Sequence, residues 1–508
     1  MKQLLNRYCY IGFSLLLGIG IWVFWSVGYP FALSYHEQNQ LFLFTWDYFF
    51  ERLSVAGGLA DWLGEFIVQF FYIPWLGAML IALLMTIGIF LVAQFTTKKL
   101  SCRSASMSFV KIVAVILSLL FAAALTWLMG DVNVMWVFPV AIVLALSLAS
   151  ISLPRRLWWT DIFIIPIAYW LIGPAVWIYI LLRAIEWGWH RLWSAVWLMV
   201  VMMVSYFWLL PQWPLQQVLS GISYYRIPLQ YPQLNGFDSE TYELIHMDYL
   251  VRNERWDDIL KRASESEVRT AFWSNCVNLA LSQKRQLAER QFEFYQSGDD
   301  ALIMPRMRDQ TSNLPSAEAF FRLGMINSAQ RSMFDIQESI LNGRMSGRCT
   351  KRIVECMLIN GHYQTAAKYI ALLKKSLFYR SWAEEAEQYL GNESKIDHHP
   401  VWGRLRRFRF KTDFLYSHPE KYKILGLLFM ENHDNKMALD YFLAELLLRG
   451  DVPGFAQYLP LAEQYGGYSK MPAGYEDAIR TIQSHGNASG TKYGPYVQRM
   501  LMQKGGSE

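Results

Sequence analysis

Of the residues able to do chemistry, the carboxylates between residues 34 and 70 come first. Five acids, Glu37, Asp47, Glu51, Asp61 and Glu65, share that stretch with one Lys/Arg residue, Arg52. His36-Glu37 comes directly after an apolar run, residues 10–33, so Glu37 stands where a bilayer would end. A carboxylate near the bilayer surface can deprotonate an acceptor hydroxyl, and Asp47 is a second acidic candidate in the same loop. The alternative for Glu37 is a solvated residue that caps the next helix. Other groups point less far. Cys9, Cys102, Cys276, Cys349 and Cys356 form no CxxC and no Cys/His ligand spacing, so they read as buried thiols. His398, His399, His418 and His433 are scattered among loop-like residues and suggest no metal. Residues 404–411 (RLRRFRFK) are a basic, aromatic-containing run that suits anionic head groups, polysaccharide, or a solvated helix face. The sequence contains no P-loop, no GxSxG and no dinucleotide fingerprint.

The elements that must position these groups divide sharply. The chain has 508 residues and a net charge of +5. Residues 1–210 hold 11 Lys/Arg and 8 Asp/Glu, whereas residues 211–508 hold 36 and 34. Tryptophan runs the other way: 16 of 21 precede residue 211, many near the ends of apolar runs, as expected of rings that favour a membrane interface. The first part therefore reads as a polytopic transmembrane bundle and the second as a soluble α-helical domain, all-α throughout. Neither half is basic enough to suggest nucleic acid.

Apolar runs fall at 10–33, 71–95, 109–129, 132–153 and 192–210, with a tight turn expected at Gly130-Asp131. The rival reading of the first run is a signal peptide ending near Ala32-Leu33-Ser34. Its length and tryptophan content, and the runs that follow, favour a retained anchor. The hard stretch is 157–189. Read as one helix it gives six spans; broken at Gly173-Pro174 into a hairpin it gives seven. With seven, and the N-terminus inside, Lys2, Arg7, Lys98, Lys99, Arg103, Lys111, Arg155, Arg156, Arg183 and Arg191 all lie on the cytoplasmic side. Six would move Arg183 and Arg191 outside and weaken that bias. Each arm of the hairpin is short for a span, but the charge rule favours seven. Residues 211–508 then lie outside the cytoplasmic membrane, after a Pro/Tyr-rich connector at 211–236.

Within the loop 34–70, residues 41–53 and 59–71 are aromatic-rich and interrupted by charges, so both read as amphipathic helices at the interface. This arrangement resembles the GT-C class of glycosyltransferases, which use lipid-linked sugars and place an acidic residue in the first outer loop. The resemblance covers residues 1–210 in architecture only. It implies Glu37 as base or metal ligand, and a divalent metal or lipid-linked sugar as cofactor. The paired acidic motif common in that class is missing, since the local sequence is His36-Glu37-Gln38-Asn39. Apart from that resemblance, no cofactor is expected.

From residue 237 to 485 the pattern is helical, with pairs at 242–265, 270–296, 317–341, 351–375 and 422–448. In the fourth pair Gly361, Tyr363, Ala366, Ile370 and Leu373 resemble the second half of a tetratricopeptide unit; Ala438 and Phe442 repeat the spacing. No clean 34-residue period runs through the region, and an irregular helical bundle explains the same residues. Stacked helix pairs offer grooves that mostly bind polypeptides. Residues 486–508, rich in Gly and Ser, read as a flexible tail.

The whole chain also resembles an uncharacterised family of bacterial membrane proteins, on the segments HEQNQLFLFTWDYF, GGLADWLGEFIVQFFYIPWLGA, NLALSQKRQLAERQFEFYQSG and GHYQTAAKYIALLKKSLFYRSWA. The expectation drawn from all of this is a multi-pass protein of the cytoplasmic membrane. Its partners are the lipid bilayer and, through an outer helical-repeat domain, an envelope protein or polymer. A glycosyltransferase is the alternative. A transporter comes third, because Asp161 and Glu186 fall near span ends.

Overall fold

The computed structural model describes residues 2–101, 107–132, 134, 136–151, 159–187, 192–209, 236–307, 311–340, 345–411, 416–484 and 490–505. Among them every regular element is a helix. The chain divides into two units: Met1–Tyr242 with Lys375–Phe378, and Glu243–Lys374 with Tyr379–Glu508. Residues 211–235 of the expected connector lie outside the described residues. So do Arg103, Arg155, Arg156 and Arg191, on which part of the charge argument rested.

In the first unit, α1 (Lys2–Val23), α5 (Pro74–Ser101) and α6 (Met107–Met129) are long and apolar. Small residues let them approach closely, as in lipid, where packing rather than water exclusion holds helices together. A Cβ on Gly88 would stand 2.8 Å from the Phe121 ring, and Ala93 and Ala114 are fully buried. Large apolar side chains face outward instead: Leu16 is 69% exposed and Phe163 62%. Four helical stretches are long and apolar enough to cross a membrane: Tyr10–Gly28, Pro74–Leu100, Ser108–Met129 and Asp161–Ile185. Val137–Ser150 (α7) and Trp193–Trp208 are shorter apolar helices. α7 starts later than the sequence pattern suggests. Its first residue is Val137, and before it the Val134 amide bonds the Asp131 carbonyl.

The stretch 161–185 is not one straight helix. It comprises α8 (Asp161–Ile172), a 3-10 turn at Gly173–Ala175, and α9 (Val176–Trp187). Gly173 has φ +66°, a conformation that L side chains rarely adopt, and Pro174 follows it. The Tyr179 hydroxyl donates to Asp161 Oδ1 at 2.8 Å. In a straight helix those residues would stand about 27 Å apart, so the chain reverses at Gly173-Pro174. Further bonds fix both ends of the hairpin. Near the vertex, the Trp170 indole donates to the Leu53 carbonyl (2.9 Å) and the Gly57 amide to the Trp170 carbonyl (2.8 Å). On the returning arm, Arg183 donates to the Ile151 carbonyl and Lys99 to the Ile185 carbonyl. Ser194, in the first turn of α10 (Leu192–Val204), then donates to Asp161 Oδ2 at 2.9 Å. So α10 starts beside the end of the hairpin that lies away from its vertex.

The second unit is built from helix pairs around an apolar core. The pairs are α11 (Ser239–Arg252) with α12 (Trp256–Glu265), α13 (Ala271–Gln283) with the short α14 (Leu287–Arg290), α15 (Leu314–Leu323) with α16 (Ile326–Ser339), and α17 (Gly347–Asn360) with α18 (Tyr363–Leu373). Then come α19 (Arg380–Glu387), α20 (Glu393–His398), α21 (Trp402–Phe408), and the pair α22 (Lys421–Glu431) with α23 (Lys436–Arg449). α24 (Val452–Tyr465), α25 (Ala473–Gln483) and α26 (Tyr493–Gly505) finish the chain. One junction recurs: a left-handed residue, then an amide bonded five residues back, which satisfies the end of the preceding helix. It occurs at Gly324, Gly361 and Gly450, with Met325 N–H to Phe320 O (2.9 Å), His362 to Met357 (2.8 Å) and Asp451 to Leu446 (2.9 Å). Glu254 and Arg285 adopt it too, at φ +54° and +58°.

Of the residues that resemble a tetratricopeptide unit, Tyr363 is partly exposed and its hydroxyl donates to Glu393. Ala366, Ile370, Ala438 and Phe442 are buried, and Gly361 makes the turn. The end of the chain differs from the expected flexible tail. Tyr493 and Tyr496 of α26 are buried and bond the Leu447 carbonyl (3.0 Å) and the Leu448 carbonyl of α23 (2.5 Å). Glycine and serine at 485–490 suggested fraying, but two tyrosines beyond them supply a docking face. Residues 485–489 and 506–508 lie outside the described ones.

Candidate functional site

Glu37 sits in α2 (Pro30–Gln38), and its side chain is 2% exposed, so it is not the solvated cap that one reading allowed. It lies on the last turn of its own helix, beside His36, which burial pushes down to about 4 and so keeps neutral at pH 7. The His36 ring meets the edge of Trp136, centroids 5.9 Å apart. Asp47 is placed differently: it is exposed, in the first turn of α3 (Trp46–Leu53). One is buried and one faces out, on separate helices, and the two pockets described below include neither.

What the loop does assemble is a set of charged groups from the two segments read as amphipathic interfacial helices. Asp61 and Glu65 lie one turn apart on α4 (Gly58–Val68), and both are buried, Glu65 to 1%. They face α3. Arg52 Nε lies 3.1 Å from Glu65 Oε2 and 3.7 Å from Asp61 Oδ2, and the Tyr48 hydroxyl donates to Glu65. Burial works against the Arg52 charge, but Glu65, Tyr48 and Asp61 outweigh it and hold the guanidinium protonated. The aromatic side of α3 is turned out instead, with Trp46 75% exposed and Phe50 also exposed. α4 itself is seated on α7: a Cβ on Gly64 would stand 2.8 Å from Val137 Cα. The signal available in sequence was the i, i+4 acid pair opposite the loop's lone arginine.

A second place where functional groups converge is in the second unit. An open groove of about 930 Å³ is lined by the turns of three helix pairs and by the chain leaving α21. The first turn supplies Gly324 to Ser328, the second Asn360 and His362, and the third Glu431 and Asn432. Arg406, Arg407, Arg409, Phe410 and Lys411 complete it. These belong to the basic run read from sequence. The segment is tied down by amides: Arg409 donates to Asn360 (3.0 Å), Asn360 to Asn327 (2.8 Å), and Asn432 to the Arg407 carbonyl (3.1 Å). Arg406 is neutralised by Glu393 and by Asp397 at 3.1 Å. Sequence reasoning found the cations but not the turns that join them; the glycine at 324 was the available clue.

A smaller pocket of about 260 Å³ lies between α15, α17 and α21. Its floor is Glu318, which accepts from Arg322 and Arg352, each at 2.7 Å. Burial would raise Glu318, but Arg352 and Arg322 outweigh it and hold the carboxyl below its usual range. A third charged cluster is closed off: Lys421 and Glu445 are both fully buried, 3.1 Å apart. Burial pushes Glu445 up to about 7 against the pull of Lys421. The thiols of Cys276, Cys349 and Cys356 are free and buried. Among the described residues no group of three or more His, Cys, Asp or Glu is placed to hold a metal ion.

No curated protein and no solved structure matches the chain. Residues 7–504 match a family described as a family of unknown function, DUF6057, and since that match takes in nearly all of the 508 residues, the chain belongs to this family.

Proposed function

We propose that the chain is an integral membrane protein that crosses the bilayer seven times, keeps its N-terminus in the cytoplasm, and presents its helical second unit on the outer side. There the second unit binds an envelope protein or polymer. The reversal at Gly173-Pro174 carries this reading, because it changes the number of passages from even to odd. The bonds at the hairpin ends support the same direction. Its vertex meets Leu53 and Gly57 of the first loop, and its returning arm meets Ile151 through Arg183 and Lys99 through Ile185, where positive charge collects. Recurrent helix junctions and an open groove suit a module that holds a partner.

Reporter fusions test it. A reporter active only outside the cytoplasm should be active after Gly236 and silent after Lys99. A silent Gly236 fusion would place the second unit in the cytoplasm and end the proposal.

A further inference from the structure

We propose that the groove between the helix-pair turns binds an acidic stretch of polypeptide. This rests on reading the second unit as a binding domain and names the chemistry of what it binds. Three of the lining cations, Arg407, Arg409 and Lys411, are not neutralised by an ion pair among the described residues, and one lining carboxylate, Glu431, stands against them. Arg407 and Lys411 are exposed, and their backbones are the parts held in place: the Arg407 carbonyl by Asn432, the Lys411 amide by Glu431 at 3.3 Å. A fixed backbone with unengaged cationic side chains is a surface already organised for an anion. A concave wall with positive charge in excess also concentrates the field and speeds the encounter with oppositely charged chains.

Carboxylates are favoured over other anions by the form of the lining. Guanidinium forks pair with carboxylates through two parallel bonds, and clustered arginines recognise acidic motifs in this way. Of the lining amides, Asn327, Asn360 and Asn432 are bonded within the wall, and the Gln330 side chain adds a donor and an acceptor of the kind a peptide backbone needs. α16 and α18 start at this groove with no side-chain cap, so their first amides add donors of the same sign. A bilayer surface is excluded by shape, since the cations line a hollow and do not project with apolar anchors. A sugar chain would want aromatic faces to stack on, and the groove has one aromatic residue, Phe410.

The full-length protein in neutral detergent, titrated with a fluorescent octapeptide of alternating Glu and Ser, tests this. Binding should weaken as salt rises, and the double variant Arg407→Glu, Lys411→Glu should lose at least tenfold in affinity. A matched double variant at exposed cations away from the groove, Lys423→Glu, Arg480→Glu, should bind as wild type, and all three proteins should melt alike. No binding of the peptide, or equal binding by the groove variant, overturns the proposal. Parallel titrations use a uronate oligosaccharide and phosphatidylglycerol vesicles. If either of these binds in place of the peptide and is lost in the groove variant, the peptide is the wrong class while the domain remains a binding module. If none of the three probes binds, the peptide proposal falls, and the reading of the second unit as a binding domain loses its groove.

Discussion

The two units are made of the same element and solve opposite problems. In the second, apolar residues such as Ile353, Leu428 and Leu443 are buried, and most charges stand outside. In the first, Leu16, Leu120, Phe163 and Val196 face out, while Glu37, Asp61, Glu65, Asp161 and Arg183 are enclosed. The loop helices α3 and α4 show it locally: Arg52, Asp61 and Glu65 meet between them, while Trp46 and Phe50 lie exposed beside Asp47 and Glu51. Such an inversion is stable where the surroundings are apolar, since polar groups then find better partners in the protein than outside it. The medium, more than the helix, decides which face is the interior.

The largest effect is expected where that inversion is broken. Arg52→Met would leave Asp61 and Glu65 buried together without their cation, a loss of roughly 3–5 kcal/mol. Thermal unfolding of the purified variant in neutral detergent would measure it; a melt like that of wild type would mean the acids reach water. In the second unit the corresponding insult is steric. Ala366→Trp should overpack the α17–α18 contact and destabilise by roughly 1–3 kcal/mol or more, read from the denaturant midpoint. An unchanged midpoint would show Ala366 on an open surface.

Charge burial in the second unit is rarer and shows itself through pH. Burial pushes Asp440 up to about 6, with Arg285 at 3.2 Å and the Tyr468 hydroxyl opposing that push. A raised carboxyl holds its proton more tightly when folded. As pH climbs from about 4 through 6 the unfolded chain releases that proton first, so folding loses stability over that window. Asp440→Asn has no such titration and should gain on wild type across it, by roughly 1–3 kcal/mol, and run parallel above. A constant difference between pH 4 and 7 would refute the assignment.

The smallest effect is expected at Glu37. If Glu37 serves packing alone, Glu37→Gln should complement a deletion strain, as should Asp47→Asn in the same loop. Loss of function at normal protein level, on the scale of the 10²–10⁴-fold that a missing general base costs, would instead support the glycosyltransferase mechanism.

Much of this architecture is legible in the sequence, within limits that have physical causes. Apolar runs and 3.6-residue periodicity locate the helices, and Gly361 announces its junction because glycine takes φ +81° freely. Glu254 and Arg285 make the same junction without a glycine: Arg322 pairs with Glu254, and Asp440 and the Gly466 carbonyl hold Arg285. Periodicity places Asp61 and Glu65 on one face but is silent on what that face meets. Gly173-Pro174 marks a break, but whether the chain bends or turns back is decided by Asp161 and Tyr179, eighteen residues apart. The groove is the least legible part: its cations are contiguous in sequence, whereas the turns that wall it come from positions more than a hundred residues apart.

The hairpin at Gly173 has a further consequence, for the lipid around it. α8 and α9 have 12 residues each, about 18 Å of helix, and α7 has 14, about 21 Å, against a hydrocarbon core of about 30 Å. α5, with 28 residues, reaches about 42 Å. Set in a bilayer, the protein combines a helix that outreaches the hydrocarbon core with helices that fall short of it. The leaflets would thin beside α8 and α9, where Phe163, Ile167, Leu181 and Ile185 are exposed, so lipids with short or disordered tails would gather there. Membrane thickness, rather than any ligand, would then be the quantity to which this bundle is tuned.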